Sequence, residues 1–235
     1  MMNIDSLQLN AFILHGRNYR DTSLILDLLT LEAGRFSVVV RGARSARSRV
    51  RDRLQPFTPV SLGTVGRADL KTATAIDFPG RAFDLRGDRL LLGLYVNELL
   101  YRLLGRHEPM KNLFNEYCML LGKLESVCQG VDEIRIFELR LLEELGYGIN
   151  FEFDAGTGSR IEGNLTYRYV LNEGFYRVEE TRSEFFSGKE LLAIANRRLN
   201  NVDRNRLRNL TRSSLSVLLG DKPLKSRDLF REISQ

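Results

Sequence analysis

Seven arginines, Arg35, Arg41, Arg44, Arg47, Arg49, Arg51 and Arg53, fall within nineteen residues and face a single acid, Asp52. A guanidinium presents a rigid fork of donors that matches phosphate oxygens and a flat face that stacks on bases, so an all-arginine cluster of local charge +6 suits a nucleic-acid backbone. Arg35, Arg41, Arg44, Arg47, Arg49 and Arg51 are the candidate contacts. Tyr19, placed by the pattern in a loop between the first two strands, adds a ring for stacking on a base.

Chemistry of other kinds has little to work with. There are two histidines, His15 and His107, and two cysteines, Cys118 and Cys128, whose separation fits no usual zinc spacing and which read as packing thiols. The acids of the first eighty residues (Asp5, Asp21, Asp27, Glu32, Asp52, Asp69, Asp77) lack the clustering that holds a catalytic metal. Gly156-Thr157-Gly158 lacks the Gly-Lys-Ser/Thr ending of a phosphate loop. The expectation is a protein without an active site, a metal or a cofactor.

The elements that must position the arginines follow from periodicity. Leu7–Leu14, Thr22–Thr30, Gly34–Arg41, Pro56–Thr64 and Ala68–Ile76 read as strands, with turns at Gly16–Arg20, Glu32–Gly34 and Gly63–Gly66. In the third strand Phe36, Val38 and Val40 alternate with Arg35, Ser37, Val39 and Arg41, which sends two arginines to the outer face. Five short strands with the arginine-rich stretch after the third, and a short helix over Ser48–Leu54, match a five-stranded OB-type barrel. From Asp84 the period changes to 3.6, giving helices over 88–104, 109–127 and 132–145. A hairpin follows over 166–179, then helices capped by Ser187 and Asp203, the last ended by Gly220. The fold class is α+β: an OB barrel in residues 1–80 and a mainly helical domain with a β-hairpin in 81–235.

The 235 residues carry 35 Lys plus Arg against 30 Asp plus Glu. Residues 1–80 have net charge +4, residues 81–180 −5 and residues 181–235 +6, so both ends are basic and the middle is acidic. No apolar run approaches the roughly 20 residues of a membrane span, and Ala11–Leu14 is too short for a signal-peptide core, so the expected location is the cytoplasm, with nucleoid association following from nucleic-acid binding.

Six segments in order carry a family likeness: Gly42-Ala43-Arg44-Ser45 after a strand, Leu54-Gln55-Pro56-Phe57-Thr58-Pro59, Leu94-Tyr95-Val96-Asn97-Glu98-Leu99-Leu100, Phe137-Glu138-Leu139 leading to Leu145-Gly146-Tyr147-Gly148, Thr166-Tyr167-Arg168-Tyr169, and Lys222-Pro223-Leu224-Lys225-Ser226-Arg227. Together they resemble the bacterial RecO family of recombination and repair proteins. The resemblance implies binding of single- and double-stranded DNA, strand annealing, partnership with RecR and with single-stranded-DNA-binding protein (SSB), and help in loading RecA. For the short acidic tail of SSB it suggests a receptor on the helical domain, an apolar groove of Leu113, Leu120, Leu121, Leu124 and Phe137 with Lys123 and Arg135 at its rim. Many members hold zinc through four cysteines in the region of residues 150–177; this chain has none there and resembles the metal-free branch. An OB protein that binds RNA is the alternative, because stacking and phosphate contacts alone do not exclude a 2′-hydroxyl.

Overall fold

The computed structural model describes residues 6–66, 70–126 and 130–226. The chain packs as two compact units, one running to Gly130 and resumed from Pro223, the other spanning Val131–Lys222.

In the first unit five strands close a barrel: β1 (Ser6–Tyr19), β2 (Ser23–Thr30), β3 (Gly34–Val40), β4 (Pro59–Val65) and β5 (Lys71–Asp77), in the order β1-β2-β3-β5-β4. Every pairing is antiparallel except β3 with β5, where Val38 faces Lys71 and Val39 faces Thr72. Alternation drives closure: Leu9, Ala11 and Ile13, Leu26 and Leu28, Phe36, Val38 and Val40, and Val60 and Leu62 fill the interior. The opposite faces of β1 and β2 are also apolar, with Phe12, Leu14, Ile25 and Leu29 buried, because helix α1 (Asp88–Leu103) packs against β1. Asn97 of α1 donates to the carbonyls of Ile13 and Leu14 (3.4 and 3.2 Å), and its own oxygen accepts from the Tyr117 hydroxyl at 2.6 Å. Tyr117 lies on α2 (Lys111–Ser126), and its burial pushes the phenol pKa far above the ordinary value.

Two expected turns and one expected helix shift. β1 continues through Gly16 to Tyr19 by way of an irregularity between Ile13 and His15, so the first loop is only Arg20–Thr22. β4 passes through Gly63, where its pairing with β5 changes register, and runs to Val65, so Gly63 lies inside the strand; residues 67–69 lie outside the described residues. The helix expected over Ser48–Leu54 is a single 3₁₀ turn, Arg51–Arg53. The β2–β3 turn is where expected: the Thr30 hydroxyl donates to the Gly34 carbonyl at 2.8 Å and accepts from the Ala33 N–H at 3.0 Å. Gly34 sits at φ +64, and a Cβ there would come within 1.8 Å of the Glu108 carbonyl oxygen, so only glycine fits under that crossing segment.

The second unit consists of α3 (Val131–Glu144), a three-stranded sheet in the order β7-β6-β8, formed by β6 (Thr166–Val170), β7 (Gly174–Val178) and the short β8 (Phe186–Ser187), then α4 (Gly188–Ala195) and α5 (Arg204–Leu219). β8 has no sequence signal beyond two aromatic residues. The Ser187–Glu190 capping box opens α4 as expected; Asp203 caps α5, and Gly220 at φ +63 ends it. Phe151, Ile161, Tyr167, Phe175, Phe186, Leu191, Ile194, Leu207 and Leu210 form the core. The 150–177 region is organised around Asp154. Its buried carboxylate accepts the backbone N–H groups of Gly156 (2.8 Å), Thr157 (2.9 Å) and Arg177 (2.8 Å). Cys118 is half-buried with its thiol pKa raised by burial; Cys128 lies outside the described residues.

Candidate nucleic-acid interface

The strand registers decide which residues meet. Tyr19 pairs with Ser23 and Leu24 with Val40, so the end of β1, the start of β2 and the end of β3 share one end of the barrel. Tyr19, Arg20 and Arg41 emerge there together, with the Arg20 guanidinium over the Tyr19 ring at 5.2 Å. Gly42 at φ +67 turns the chain out of β3, and two successive tight turns, Ser45 N–H to Gly42 and Ser48 N–H to Ser45 (both 3.0 Å), shape the loop that follows.

Arg44 holds this loop in place. Its backbone N–H donates to Thr22 (2.7 Å), its Nη2 to the carbonyls of Arg20 and Asp21 (2.7 and 2.6 Å), and its Nε to Ser23 (3.2 Å). With these donors spent on the first loop, Arg44 is a positioning residue. Arg41, Arg47, Arg49 and Arg51 are exposed, and none has an ion-pair partner among the described residues. They are the cations that face solvent. Arg53, also exposed, lies over Phe78 at 4.0 Å, and Phe57 is buried in the core.

Arg35 departs from the expectation that it points toward solvent. It is half-buried, its Nε donates to the Leu104 carbonyl at 2.8 Å, and its guanidinium lies over the Tyr101 ring at 5.4 Å. Burial, followed by repulsion from Arg106, lowers its pKa. Ser37 of the same face donates to buried Asp27 at 2.6 Å, with Arg17 at 3.6 Å and His15 at 3.8 Å from the other carboxylate oxygen. This part of the outer face of β3 is therefore packed, with Asp27 Oδ2 buried and accepting no hydrogen bond. Arg20 was missed by sequence reading; the signal was its place beside Tyr19 in a two-strand connection.

The residues expected to form an SSB-tail groove are closed off. Leu113, Leu120, Leu121 and Leu124 of α2 are 0–4% exposed, and Phe137 of α3 is 2% exposed. Arg135 is buried against Glu138, with the Thr211 hydroxyl accepting from Arg135 at 3.1 Å and donating to Glu138 at 2.5 Å. Lys123 alone of the set is exposed. Amphipathic helices bury such stripes in their own cores, and here they do so.

Among the described residues no group of three or more His, Cys, Asp or Glu is placed to hold a metal ion, and no helix is long and apolar enough to cross a membrane. A closed barrel of OB topology with an exposed arginine loop at one end defines an OB-barrel protein of the kind that binds nucleic acid.

Comparison with known proteins sharpens the class. The family model for the N-terminal part of recombination protein O matches residues 2–78, and that for the C-terminal part matches residues 85–228. The DNA repair protein RecO of Salmonella enteritidis PT4 is 42% identical over 224 residues, covering 94% of this chain and 93% of that protein. The RecO proteins of Salmonella gallinarum and Salmonella paratyphi B match with the same identity and coverage. The chain belongs to the RecO family of DNA repair and recombination proteins.

Proposed function

We propose that the chain is a recombination mediator that binds single- and double-stranded DNA, anneals complementary strands and, with RecR, helps load RecA onto SSB-coated single strands. It does so without covalent chemistry. The observation that carries this reading is the loop of exposed arginines, Arg41, Arg47, Arg49 and Arg51, held by Arg44 beside Tyr19 and Arg20 at one end of the barrel. Cations on a fixed loop lower the repulsion between two phosphate backbones, while their flexible side chains leave base edges open to pairing. Arg44 serves by fixing this loop, whereas Arg35 lies at the opposite end of β3 and braces the Leu104 carbonyl. Membership of the family supports the partners RecR, SSB and RecA, while the leucines of α2 offered for the SSB tail are buried in this structure.

An annealing assay tests the reading. Two complementary labelled strands, bare or coated with SSB, are mixed with the chain. The account expects faster duplex formation than in buffer, and a slower reaction when Arg41, Arg47, Arg49 and Arg51 are all replaced by alanine. No acceleration of bare strands, or tighter binding of RNA than of DNA of equal sequence, would contradict it.

A further inference from the structure

Where the arginine loop rejoins the barrel, its own residues form one side of a groove. The 3₁₀ turn Arg51–Arg53 leads through residues 54–58 into β4. Asp52, Arg53, Gln55 and Pro56 of that stretch line a hollow of about 600 Å³ together with Phe83 and Asp84, on the way to α1, and Leu90 and Leu94 of α1 itself. Backbone strain shapes this stretch. Phe57 sits at φ +65, a left-handed conformation that a bulky side chain rarely adopts. Two contacts hold it there: its carbonyl accepts from the Phe83 N–H at 3.1 Å, and its ring lies against Gly93 within α1, where a Cβ would come within 2.9 Å of it. Strain of this kind persists only where the surroundings over-determine it, and it gathers at binding sites.

The charges of the groove cancel, unlike those of the loop. Arg81, also in the lining, is held by both carboxylate oxygens of Glu125 at 2.5 and 2.8 Å, and Asp84 is paired with Arg86 at 2.8 Å. That leaves Asp52 against Arg53, whose guanidinium lies over Phe78 at 4.0 Å with Nη2 3.5 Å from the Gly80 carbonyl. Leu90 is 37% exposed, so apolar surface is open to solvent. Gln55 is exposed as well, and its side-chain amide, which can both donate and accept, has no partner among the described residues. Immediately before this neutral slot stands exposed Arg51, and behind it Arg49 and Arg47.

We propose that this groove takes an unpaired base of a DNA strand whose phosphates lie on Arg47, Arg49 and Arg51, with Pro56, Phe83 and Leu90 against the ring and Gln55 at its edge. This rests on the reading that the arginine loop binds DNA, and goes beyond it by giving that loop a base site and a preference for single strands. Loop and groove are one unbroken stretch of chain, so a strand held on the first reaches the second. A nucleotide joins an anionic phosphate to a flat, uncharged base, and the surface changes character in the same way, from cations to an apolar slot whose charges cancel. Asp52 disfavours a phosphate or an acidic peptide in the slot, and it accepts well from an exocyclic amino group. A base inside a duplex would first have to leave its stack, whereas a single strand offers its bases with little opposition.

The test measures binding of the full chain to two labelled oligodeoxynucleotides of equal length, one of mixed sequence and one abasic over its central part, and to the duplex of the first. The parent is expected to prefer the strand that has its bases. Leu90→Trp, which fills the groove, should narrow that preference by at least about fivefold, the low end of the stacking range, with the slope of log affinity against log salt and the duplex affinity unchanged. Gln55→Ala should narrow it in the same direction by a smaller factor. Because Gln55 is exposed, this second variant decides the matter should Leu90→Trp not melt like the parent. An unchanged preference in variants that fold, an equal loss on duplex, or a flattened salt slope overturns the proposal and leaves the arginine-loop reading standing. Loss of RecR binding with the base preference intact overturns it too, and gives the groove to a protein. Failure of the unaltered chain to bind any DNA overturns the proposed function, and this base site with it.

Discussion

Replacing Asp154 by asparagine probes how this chain holds the 150–177 segment. The side chain keeps its shape, and its remaining oxygen still accepts from Gly156 and Thr157. The amide nitrogen, however, now faces the Arg177 N–H, donor against donor, where Oδ2 accepted at 2.8 Å. The Arg177 N–H is part-buried, so leaving it unpartnered costs toward the low end of the about 1–3 kcal/mol of a buried donor, and the two surviving bonds weaken as the acceptor loses its charge. A total of roughly 2–3 kcal/mol follows. For a unit of this size that lowers Tm by about 8–20 °C, read by calorimetry or near-ultraviolet circular dichroism. The pH dependence has a definite sign. Burial alone would raise the carboxyl pKa, but the N–H groups of Thr157, Arg177 and Gly156 outweigh it, and the net shift is downward from 3.8. A depressed folded-state pKa gives stability that is fully present above 3.8 and lost as pH falls through the lower folded value. The gap between parent and Asp154→Asn should therefore be wide at neutral pH and close in that acid range. A Tm within about 2 °C of the parent at pH 7 would refute the reasoning, since only partial satisfaction elsewhere keeps the cost so far below the usual penalty.

Three further outcomes follow from the packing. Gly34→Ala, at φ +64 beneath the Glu108 carbonyl, should destabilise the first unit by roughly 1–3 kcal/mol or more, measured by urea unfolding. Arg135→Met should cost about 3–5 kcal/mol by leaving Glu138 charged and buried, whereas adding Glu138→Leu should restore most of that loss; equal instability of single and double variants would mean the pair is not the cause. Ser187→Ala removes the capping box of α4 and should cost about 1 kcal/mol, with no change in DNA affinity by anisotropy.

Local rules were legible wherever one residue decides. Alternation in β3 placed Phe36, Val38 and Val40 inside the barrel, and the Ser187, Asp203 and Gly220 signals marked helix ends that the structure has. What failed depended on distant partners. The outer face of β3 looked like solvent because nothing in the segment announces the Leu104 carbonyl, 69 residues on, that takes the Arg35 Nε. A strand that tolerates an irregularity, as β1 does near His15 and β4 near Gly63, runs through glycines that otherwise signal turns. The leucines of α2 are buried, and a helix stripe alone does not say whether a core or a ligand covers it. In the arginine loop the composition named the cations. Only the fold separates the holder, Arg44, from the exposed Arg41, Arg47, Arg49 and Arg51, because that division depends on the carbonyls of the first loop.

The most direct test of the central claim is a salt titration of single-stranded DNA binding, comparing the parent with the chain in which Arg41, Arg47, Arg49 and Arg51 are alanine. Each phosphate contact contributes about 0.7 to the slope of log affinity against log salt. If these four arginines are the main contacts of the barrel, the slope flattens by up to about 2.8 and affinity at low salt drops in step. An unchanged slope and affinity, in a variant that melts like the parent, would contradict the account.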